Sequence, residues 1–440
     1  MFKIFVNSWK TKEIRNKILY TLMIFAIVRL GTQIALPGID TAGVIAAREN
    51  ASMAGTLYSV IAGGANSSWS IFAMGIGPYI NASIIMQLLT IAIPKFEQLS
   101  KEGPDGRKKL QSYSRYLTVI LALIQGIGLT YTYHNMYLVH SPLVYVASVF
   151  CLVCGSTFVM WLAEQITASG IGNGSSMIIF INIVSNLPTG AATMYYLISG
   201  SGAAGAAKVA AILLILIVVL AFIVCVNTGE RRLPVQYSSK MVGRKQASGR
   251  STNMPIKVNT SGVISIIFAI SLLQFPQQIG MFIPNKGATF TKVTDVLNMT
   301  HPIGAIIYII LIFFFTYFYT SIVINPNEIA MNMKKNGGFI PGIRPGQPTS
   351  AYITRVVNRV TLVGAVCYAV LAMVPVVLQW IFKVNVGFGG TTLIIVVGVC
   401  LDIVKALESQ LLMRHYKGFL NDNNRLGNAF GHFPRGCFVL

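Results

Sequence analysis

The residue types that usually carry catalysis are few in this chain, and their spacing completes no reactive site. Cys151 and Cys154 share one face of a predicted helix, but no histidine or further cysteine joins them, so packing is favoured over metal or redox chemistry. The five histidines are scattered, with no paired nucleophile and no His-Glu-x-x-His zinc motif. We therefore predict no catalytic residue, no metal site and no cofactor.

The stretch Gly170-Ile171-Gly172-Asn173-Gly174 is the nearest approach to a nucleotide-binding loop. It contains no Walker lysine and follows no predicted strand, and a phosphate-binding loop requires both. We interpret it as a glycine-rich entry into the helix that follows. Because the chain has no nucleotide site, any activity that consumes energy must draw that energy from a partner.

Most of the charged side chains are lysines and arginines, in a chain that is otherwise largely apolar. Of the 440 residues, 54% are hydrophobic and only 11% are charged, and the mean hydropathy is +0.65, as in a membrane protein with several crossings. A net charge of +21 could suggest nucleic-acid binding. The bases are concentrated in alternate loops between the apolar segments, however, which is typical of cytoplasmic loops. This bias predicts that both termini lie in the cytoplasm.

Ten apolar segments position these loops, and they predict an all-α polytopic membrane protein. The predicted spans are Ile18–Leu36, Ile71–Ile93, Tyr116–Tyr133, Leu143–Trp161, Ser176–Ile198, Val209–Val226, Gly262–Phe282, Ile303–Ile324, Val360–Phe382 and Thr391–Leu407. The fifth is the least regular because Asn182, Asn186 and Pro188 interrupt it.

One uncharged stretch, between Glu49 and Lys95, departs from this pattern. It is too long for one crossing and too short for two crossings joined by a turn. Its first part, Ala51–Ser70, is broken by glycines and polar residues, so we predict a short half-helix before the second span. Irregular backbone at membrane depth persists only inside protein or beside a water-filled cavity, so this stretch predicts a cavity.

The stretch Ser199–Ala207, SGSGAAGAA, predicts a flexible linker at the middle of the chain. Five predicted spans lie on each side, and an odd number in each half forces the halves into opposite orientation, as in an inverted repeat. We expect an N-terminal half (1–198), the linker (199–207), a C-terminal half (208–420) and a cytoplasmic tail (421–440).

Two large basic loops, 228–260 and 325–359, are predicted to project into the cytoplasm. The first contains two extended stretches around a polar tip, which predicts a protruding hairpin. The second is rich in glycine and proline, which predicts a fixed irregular loop. Their positive charge favours acidic partners, including ribosomal RNA.

Several stretches, in this order, carry a family resemblance: SIFAMGIGPYINASIIMQLL, SKEGPDGRKK, MWLAEQITASGIGNG, GERRLPVQY, STNMPIKVNTSGVI, NGGFIPGIRPGQPT, FGGTTLIIVVGV and MRHYKGFL. By their order and spacing the chain resembles the SecY/Sec61-alpha family of protein-conducting channels from about Glu13 to Leu420. The resemblance implies a passive central pore between two five-helix halves, through which unfolded secretory polypeptides cross the membrane.

The resemblance also implies a ring of apolar side chains at the narrowest level of the pore. By matching, the ring falls on Ile76, Ile80, Ile179, Ile267 and Ile395, with Ser175 at a sixth place where the family usually has a bulky apolar residue. Ile76 and Ile80 share a helix face, as do Ser175 and Ile179. An apolar collar resists ions and offers no fixed polar partner, which suits a pore for clients of diverse sequence.

A plug helix and a lateral gate follow from the same resemblance. The plug corresponds to the predicted half-helix at about 52–65 and includes Leu57, Tyr58, Val60, Ile61, Gly63 and Gly64. The gate opens toward lipid and includes Asn81, Gln87, Gln125, Ser271, Gln274 and Phe275. The polar members either lower the hydrophobicity of the seam or form ordinary interhelical hydrogen bonds worth about 1 kcal/mol each, and the sequence leaves both readings open.

The resemblance finally implies a set of partners in the bacterial cytoplasmic membrane. These are the small subunits SecE and SecG, the SecA ATPase motor or a ribosome on the basic loops, clients that bear signal sequences, and membrane lipid. The expected contacts with the motor or ribosome are Arg231, Arg232, Arg244, Lys245, Arg250, Lys334, Lys335 and Arg344.

Two other functions are weighed against a channel. An ion-coupled secondary transporter would share inverted halves and broken helices, but it should place an ionisable residue near the bilayer midplane. The acids Glu164, Asp402 and Glu408 instead lie toward predicted inner ends of spans. An insertase or accessory translocon subunit with narrower clientele is left open by the sequence.

Overall fold

The structure is a computed structural model of the chain. It describes residues 8–39, 69–132, 134, 137–237, 241–242, 245–246, 251–259, 263–280, 293–294, 296–297, 301–382 and 390–429. Twelve helices account for most of these residues. They are α1 (Lys12–Gly31), α2 (Gly77–Ala92), α3 (Pro94–Lys101), α4 (Pro104–Thr132), α5 (Pro142–Ser169), α6 (Gly174–Val184), α7 (Leu187–Thr228), α8 (Ile264–Gly280), α9 (Pro302–Val323), α10 (Pro326–Lys335), α11 (Gln347–Phe382) and α12 (Gly390–Ala429).

Four helical stretches of the described chain are long and apolar enough to cross a membrane: Pro142–Ser169, Ala207–Thr228, Pro302–Lys335 and Gln347–Val374. Helices α2 and α3 make a fifth if the 100° bend between them falls within one span. Helices α6 and α8 are shorter, at 11 and 17 residues. A membrane protein with several crossings is therefore supported, while the count of ten spans stays a prediction.

The second span begins later than the sequence suggested. Turns occupy the chain up to Ile76, and α2 starts only at Gly77, with Pro78 in its first turn. Proline is well suited to the start of a helix because its fixed φ is helical and its missing N–H has no partner there anyway. Gly75 precedes it with a φ of +53°, a left-handed conformation that glycine adopts without strain and that interrupts a helix.

Two predictions for the middle of the chain are wrong. The fifth span was expected to run through 176–198, but α6 ends at Val184 and a new helix, α7, starts at Leu187. Pro188 explains the break because proline is excluded from a helix interior yet accepted in a first turn. The expected flexible linker, 199–207, lies inside α7, and its alanines are the best helix formers.

The hairpin predicted for the first basic loop is confirmed. Strand β1 (Glu230–Tyr237) pairs antiparallel with β4 (Ser251–Lys257), and Glu230 lies opposite Lys257. At the tip, β2 (Met241–Val242) pairs with β3 (Lys245–Gln246).

A third strand from the second basic loop joins this hairpin, which the sequence did not predict. Strand β5 (Gly338–Phe339) pairs with Gln236 and Tyr237 on the free edge of β1, giving the strand order β4-β1-β5. Beneath the sheet, Leu233, Val235 and Ile256 pack with Met333, Ile340 and Ile353. The two loops therefore form one body (β1, β4, β5 and α10), which we call the cytoplasmic sheet body after the side of the membrane predicted for both loops.

The apolar packing of the helices falls into two large clusters that meet at α12. The first draws on α7, α8, α9, α11 and α12, and it also takes Ile84 from α2. The second draws on α1, α2, α5, α6 and α12, together with Phe72. Helices from both parts of the chain thus pack against each other through α2 and α12.

The turn that leads into α2 is held by a close contact with α5. A Cβ atom added to Gly155 would lie 2.2 Å from the carbonyl oxygen of Ile71, so only glycine lets the turn approach this closely. At Gly126 on α4 the nearest atom to an added Cβ is 3.7 Å away, which is ordinary contact.

We predict that Gly155→Ala lowers the free energy of unfolding by about 1–3 kcal/mol, because the added methyl group overpacks this contact. Gly126→Ala is the matched control on the neighbouring helix, and it should leave stability unchanged or raise it, since alanine is favoured over glycine in a helix by about 0.5–1 kcal/mol. The measurement is the midpoint of thermal unfolding of each purified protein in detergent. Equal midpoints for the two variants would contradict the packing described here.

Candidate functional site

The five isoleucines expected to form a ring belong to one apolar cluster. Ile76, Ile179 and Ile395 are buried in it, with exposures of 0%, 3% and 4%, and Ile80 and Ile267 are partly buried against it. They come from four separate helices, α2, α6, α8 and α12. The structure therefore brings together residues that lie up to about 320 positions apart in the chain.

Each of these isoleucines lies near the amino-terminal end of its helix. Ile76 is the residue that caps α2, and the amide of Ile80 donates to its carbonyl at 3.1 Å. Ile267 lies in the first turn of α8, and Ile179 and Ile395 in the second turns of α6 and α12. The cluster is thus a point where four helices begin.

Ser175, the sixth predicted ring position, lies outside the apolar cluster. Its hydroxyl donates to the side-chain oxygen of Asn173 at 2.7 Å, and its amide donates to the same oxygen at 3.1 Å. Asn173 caps α6 through this contact, which satisfies an amide that would otherwise lack a partner in the first turn. Ser175 therefore serves the helix start and borders the ring.

A cavity of about 450 Å³ and a smaller one of about 260 Å³ lie next to these helices. The smaller one, which we call the seam cavity, is bounded by Ile80, Ile179 and Ile267 on its apolar side. Its polar side is formed by residues from α2, α4, α5 and the start of α6: Ser83, Gln87, Gln111, Glu164, Thr167, Asn173 and Ser175. The seam cavity therefore adjoins the ring and joins α2 to α8.

Glu164, on the polar wall of the seam cavity, forms an ion pair with Arg115. Arg115 Nε lies 2.8 Å from Glu164 Oε1, and Gln111 Nε2 donates to the same oxygen at 3.1 Å. The side chain of Glu164 is only 13% exposed, whereas that of Arg115 is 46% exposed. Sequence reasoning treated Glu164 only as a possible coupling acid and missed Gln111 and Arg115. The i, i+4 spacing of these two on α4 is the signal that could have found them.

The predicted gate residues are only partly gathered here. Gln87 lines the seam cavity, and its side-chain oxygen is buried without a hydrogen-bond partner in the described part of the chain. Asn81, Gln125, Ser271 and Gln274 are half-buried, and Phe275 is exposed, but none of these five lines that cavity. Their role as a gate stays a prediction.

The predicted plug residues Leu57, Tyr58, Val60, Ile61, Gly63 and Gly64 lie outside the described residues. The chain segments before and after this stretch are joined by backbone hydrogen bonds. The amide of Leu36 donates to the carbonyl of Trp69 at 2.8 Å, and the amide of Ile71 donates to the carbonyl of Ile34 at 3.0 Å. Trp69 is 1% exposed and packs with Leu36 and Ile39. The two ends of the stretch 40–68 are therefore held side by side.

Five of the six described contacts predicted for a motor or ribosome lie on the cytoplasmic sheet body or in the loop that follows β5. Arg231 and Arg232 are exposed on β1, Lys334 and Lys335 are exposed at the end of α10, and Arg344 is exposed in the loop after β5. Lys245 lies on β3, while Arg244 and Arg250 lie outside the described residues.

The loop around Arg344 has a defined backbone. Gly342 and Gly346 have φ values of +81° and +114°, and Thr349 Oγ1 donates to the carbonyl of Arg344 at 2.8 Å. The guanidinium group is thus presented to solvent from a fixed loop.

The larger cavity is lined by Asp402, one of the acids that an ion-coupled transporter could use as its coupling residue. Asp402 lines it with Lys257 and Lys405, beside the base of the β1–β4 hairpin. At the cavity wall, Tyr368 donates to the side-chain oxygen of Asn227 at 2.8 Å. The acid is therefore accompanied by bases at the hairpin end of the helices.

Comparison with known proteins agrees with this geometry. Residues 70–404 match the sequence profile of the SecY family. A protein translocase subunit SecY from Halalkalibacterium halodurans is 42% identical over 431 residues, which cover 96% of this chain and 100% of the relative.

Solved structures share the fold at lower identity. One is a SecY protein whose plug domain is described as stabilising the closed state of the translocation channel, with a TM-score of 0.64 at 19% identity over 89% of this chain and 91% of that one. Another is Sec61 in a canine ribosome-channel complex, with a TM-score of 0.61 at 18% identity over the same shares, 89% and 91%. The sequence match along most of its length shows that this chain belongs to the SecY family.

Proposed function

We propose that this chain is the central pore-forming subunit of a protein translocon. It passes unfolded secretory polypeptides across the bacterial cytoplasmic membrane and releases transmembrane segments sideways into lipid. The observation that carries the proposal is the meeting of five isoleucines from four helices in one apolar cluster beside a partly polar cavity. Membership of the SecY family supports the same function.

An apolar ring suits this task physically. Isoleucine side chains offer no hydrogen-bonding group, so a resting ring excludes water and ions by dewetting, and a passing chain meets no fixed polar partner. The ring isoleucines lie within the first two turns of their helices, so small shifts of these helix ends change the opening.

The finer architecture is part of the proposal. Ten spans form two inverted halves, both termini are cytoplasmic, and the stretch 40–68 contains the plug. The paired chain ends at Leu36–Trp69 and Ile34–Ile71 support a plug attached at a fixed neck. The loops of the cytoplasmic sheet body lie on the side of the membrane where the bases are concentrated.

Energy for transport comes from partners that dock on the cytoplasmic sheet body. We propose the SecA motor or a ribosome, because five described bases are exposed on this one body and attract acidic surfaces. The likeness to a Sec61 that was solved in a ribosome complex supports the second partner. SecE and SecG complete the proposed assembly around the helices.

An ion-coupled transporter is not favoured. Such a transporter needs an ionisable residue near the bilayer midplane. Among the described residues, Asp402 lies with Lys257 and Lys405 at the hairpin end of the helices, and Glu164 pairs with Arg115. In the proposed topology both acids lie toward the cytoplasmic side.

We predict that Ile179→Ser raises ion leakage through the channel several-fold, because the hydroxyl group lets water enter the ring. Ile178→Ser is the matched control: Ile178 is equally buried, at 0% exposure, but adjacent helix positions face different directions. Ion flux from proteoliposomes that contain each complete translocon measures the effect. If the two variants leaked equally, Ile179 would have no special place in the ring.

We predict that Arg344→Glu slows client transport at least several-fold while the protein stays folded in the membrane. The reason is that the exposed guanidinium contacts the partner and supports no described packing. Arg355→Glu makes the same charge reversal at an exposed position of α11 and should have a smaller effect. The measurement is SecA-driven transport into vesicles, with the amount of each variant compared by immunoblot. Loss of the protein itself would instead mean that Arg344 has a structural role.

A further inference from the structure

We propose that Glu164 is a receiving site for the basic amino-terminal segment of a client's signal sequence, and that Arg115 is the cation that this segment displaces. The inference rests on the proposed function and names a site within the seam cavity that recognises the client by charge. It makes Glu164 a specificity-determining residue for clients that bear signal sequences.

The geometry of the ion pair leaves a place for a second cation. Both donors to Glu164, Arg115 Nε and Gln111 Nε2, bind Oε1. Within the described part of the chain, Oε2 makes no hydrogen bond, and the carboxylate lines the seam cavity. A carboxylate accepts hydrogen bonds at both oxygens, so an arriving ammonium or guanidinium group has a second acceptor on Glu164.

The two members of the pair differ in how easily they can separate. Arg115 is nearly half exposed, so its release into water costs little, as is usual for an ion pair at a surface. Glu164 is largely buried, and an unpaired buried charge is strongly unfavourable. The carboxylate of Glu164 therefore requires a paired cation, but a cation of the client can replace Arg115 in that pair.

The charge of the whole chain makes such a site necessary. The chain has 34 Lys and Arg residues against 13 Asp and Glu, and the bases crowd the predicted cytoplasmic side. A client whose leading segment is basic is repelled by this field. A carboxylate in the wall of the seam cavity supplies the local attraction that the surrounding surface lacks.

The two walls of the seam cavity match the two parts of a signal sequence. Such a sequence begins with a positively charged segment that is followed by an apolar run of 7–15 residues. In the cavity, Glu164 lies on the polar wall, while Ile80, Ile267 and Phe268 form the apolar wall at the contact between α2 and α8. A client held with its cation on Glu164 thus places its apolar run beside the seam.

The test compares channel variants with clients that differ only in the charge of this leading segment. Three versions of one client carry two lysines, two glutamines or two glutamates there, and transport rates are measured in vesicles with the complete translocon. With the unaltered channel, the lysine version should move fastest. Glu164→Lys should slow the lysine version and speed the glutamate version, so that their ratio falls by about five-fold or more, as expected for loss of one ion pair. Glu164→Gln, which keeps the side-chain shape, should bring the three rates closer together.

Two further variants separate recognition from a merely structural role. Arg115→Gln removes the competing cation and should raise the rate of the lysine version relative to the glutamine version. Glu97→Lys reverses the charge of an exposed acid that pairs with Lys101 at 2.6 Å outside the seam cavity, and it should leave the ratios among the three clients as in the unaltered channel.

The outcomes are distinct. If Glu164→Lys and Glu164→Gln slow all three clients by the same factor, Glu164 only stabilises the fold and the inference is wrong. If Glu97→Lys changes the ratios as much as Glu164→Lys does, the general surface charge is responsible, and the inference is again wrong. If the unaltered channel moves none of the clients, the failure is that of the proposed function itself.

Discussion

The structure depends on the constraint that four helices begin around one apolar cluster. Gly75 and Pro78 fix the start of α2, and Asn173 fixes the start of α6, so that Ile76, Ile80 and Ile179 face a common centre. Because each helix starts at the apolar cluster, the isoleucines in its first turns are directed into that cluster. These helix starts bring side chains from distant parts of the chain into one cluster.

Apolar and polar surfaces have separate tasks around this cluster. In the proposed channel the isoleucines seal the passage without selecting a client, and the polar residues of the seam cavity, with Glu164, distinguish clients by charge. The cytoplasmic sheet body is a third, independent element, because its packing involves Leu233, Ile256 and Ile340 and none of the ring residues. Sealing, recognition and docking are thus placed in different parts of the fold.

Much of this fold could be predicted because its signals are local. Apolar runs, alternating loop charge and the extended stretches of the first basic loop each depend on neighbouring residues. The pairing of Gly338–Phe339 with β1 could not be predicted, because two-residue strands have no sequence pattern and their partner lies about a hundred residues away. The helical course of 199–207 was missed because its glycines and serines suggest a linker, although the alanines between them favour a helix. The ring residues could be predicted only from family resemblance, since an isoleucine in a span usually serves packing alone, and their role stays a prediction.

The most direct test of the pore is site-specific crosslinking from a photoreactive probe at Ile80 and, separately, at Ile267, to a secretory chain stalled during transport. A probe at Ile310, which is 60% exposed on α9, serves as the control that faces away from the cluster. A central pore predicts crosslinks to the client from both isoleucine positions, lost when the signal sequence is removed, and none from Ile310. Crosslinks from Ile310 alone would contradict a pore lined by this ring.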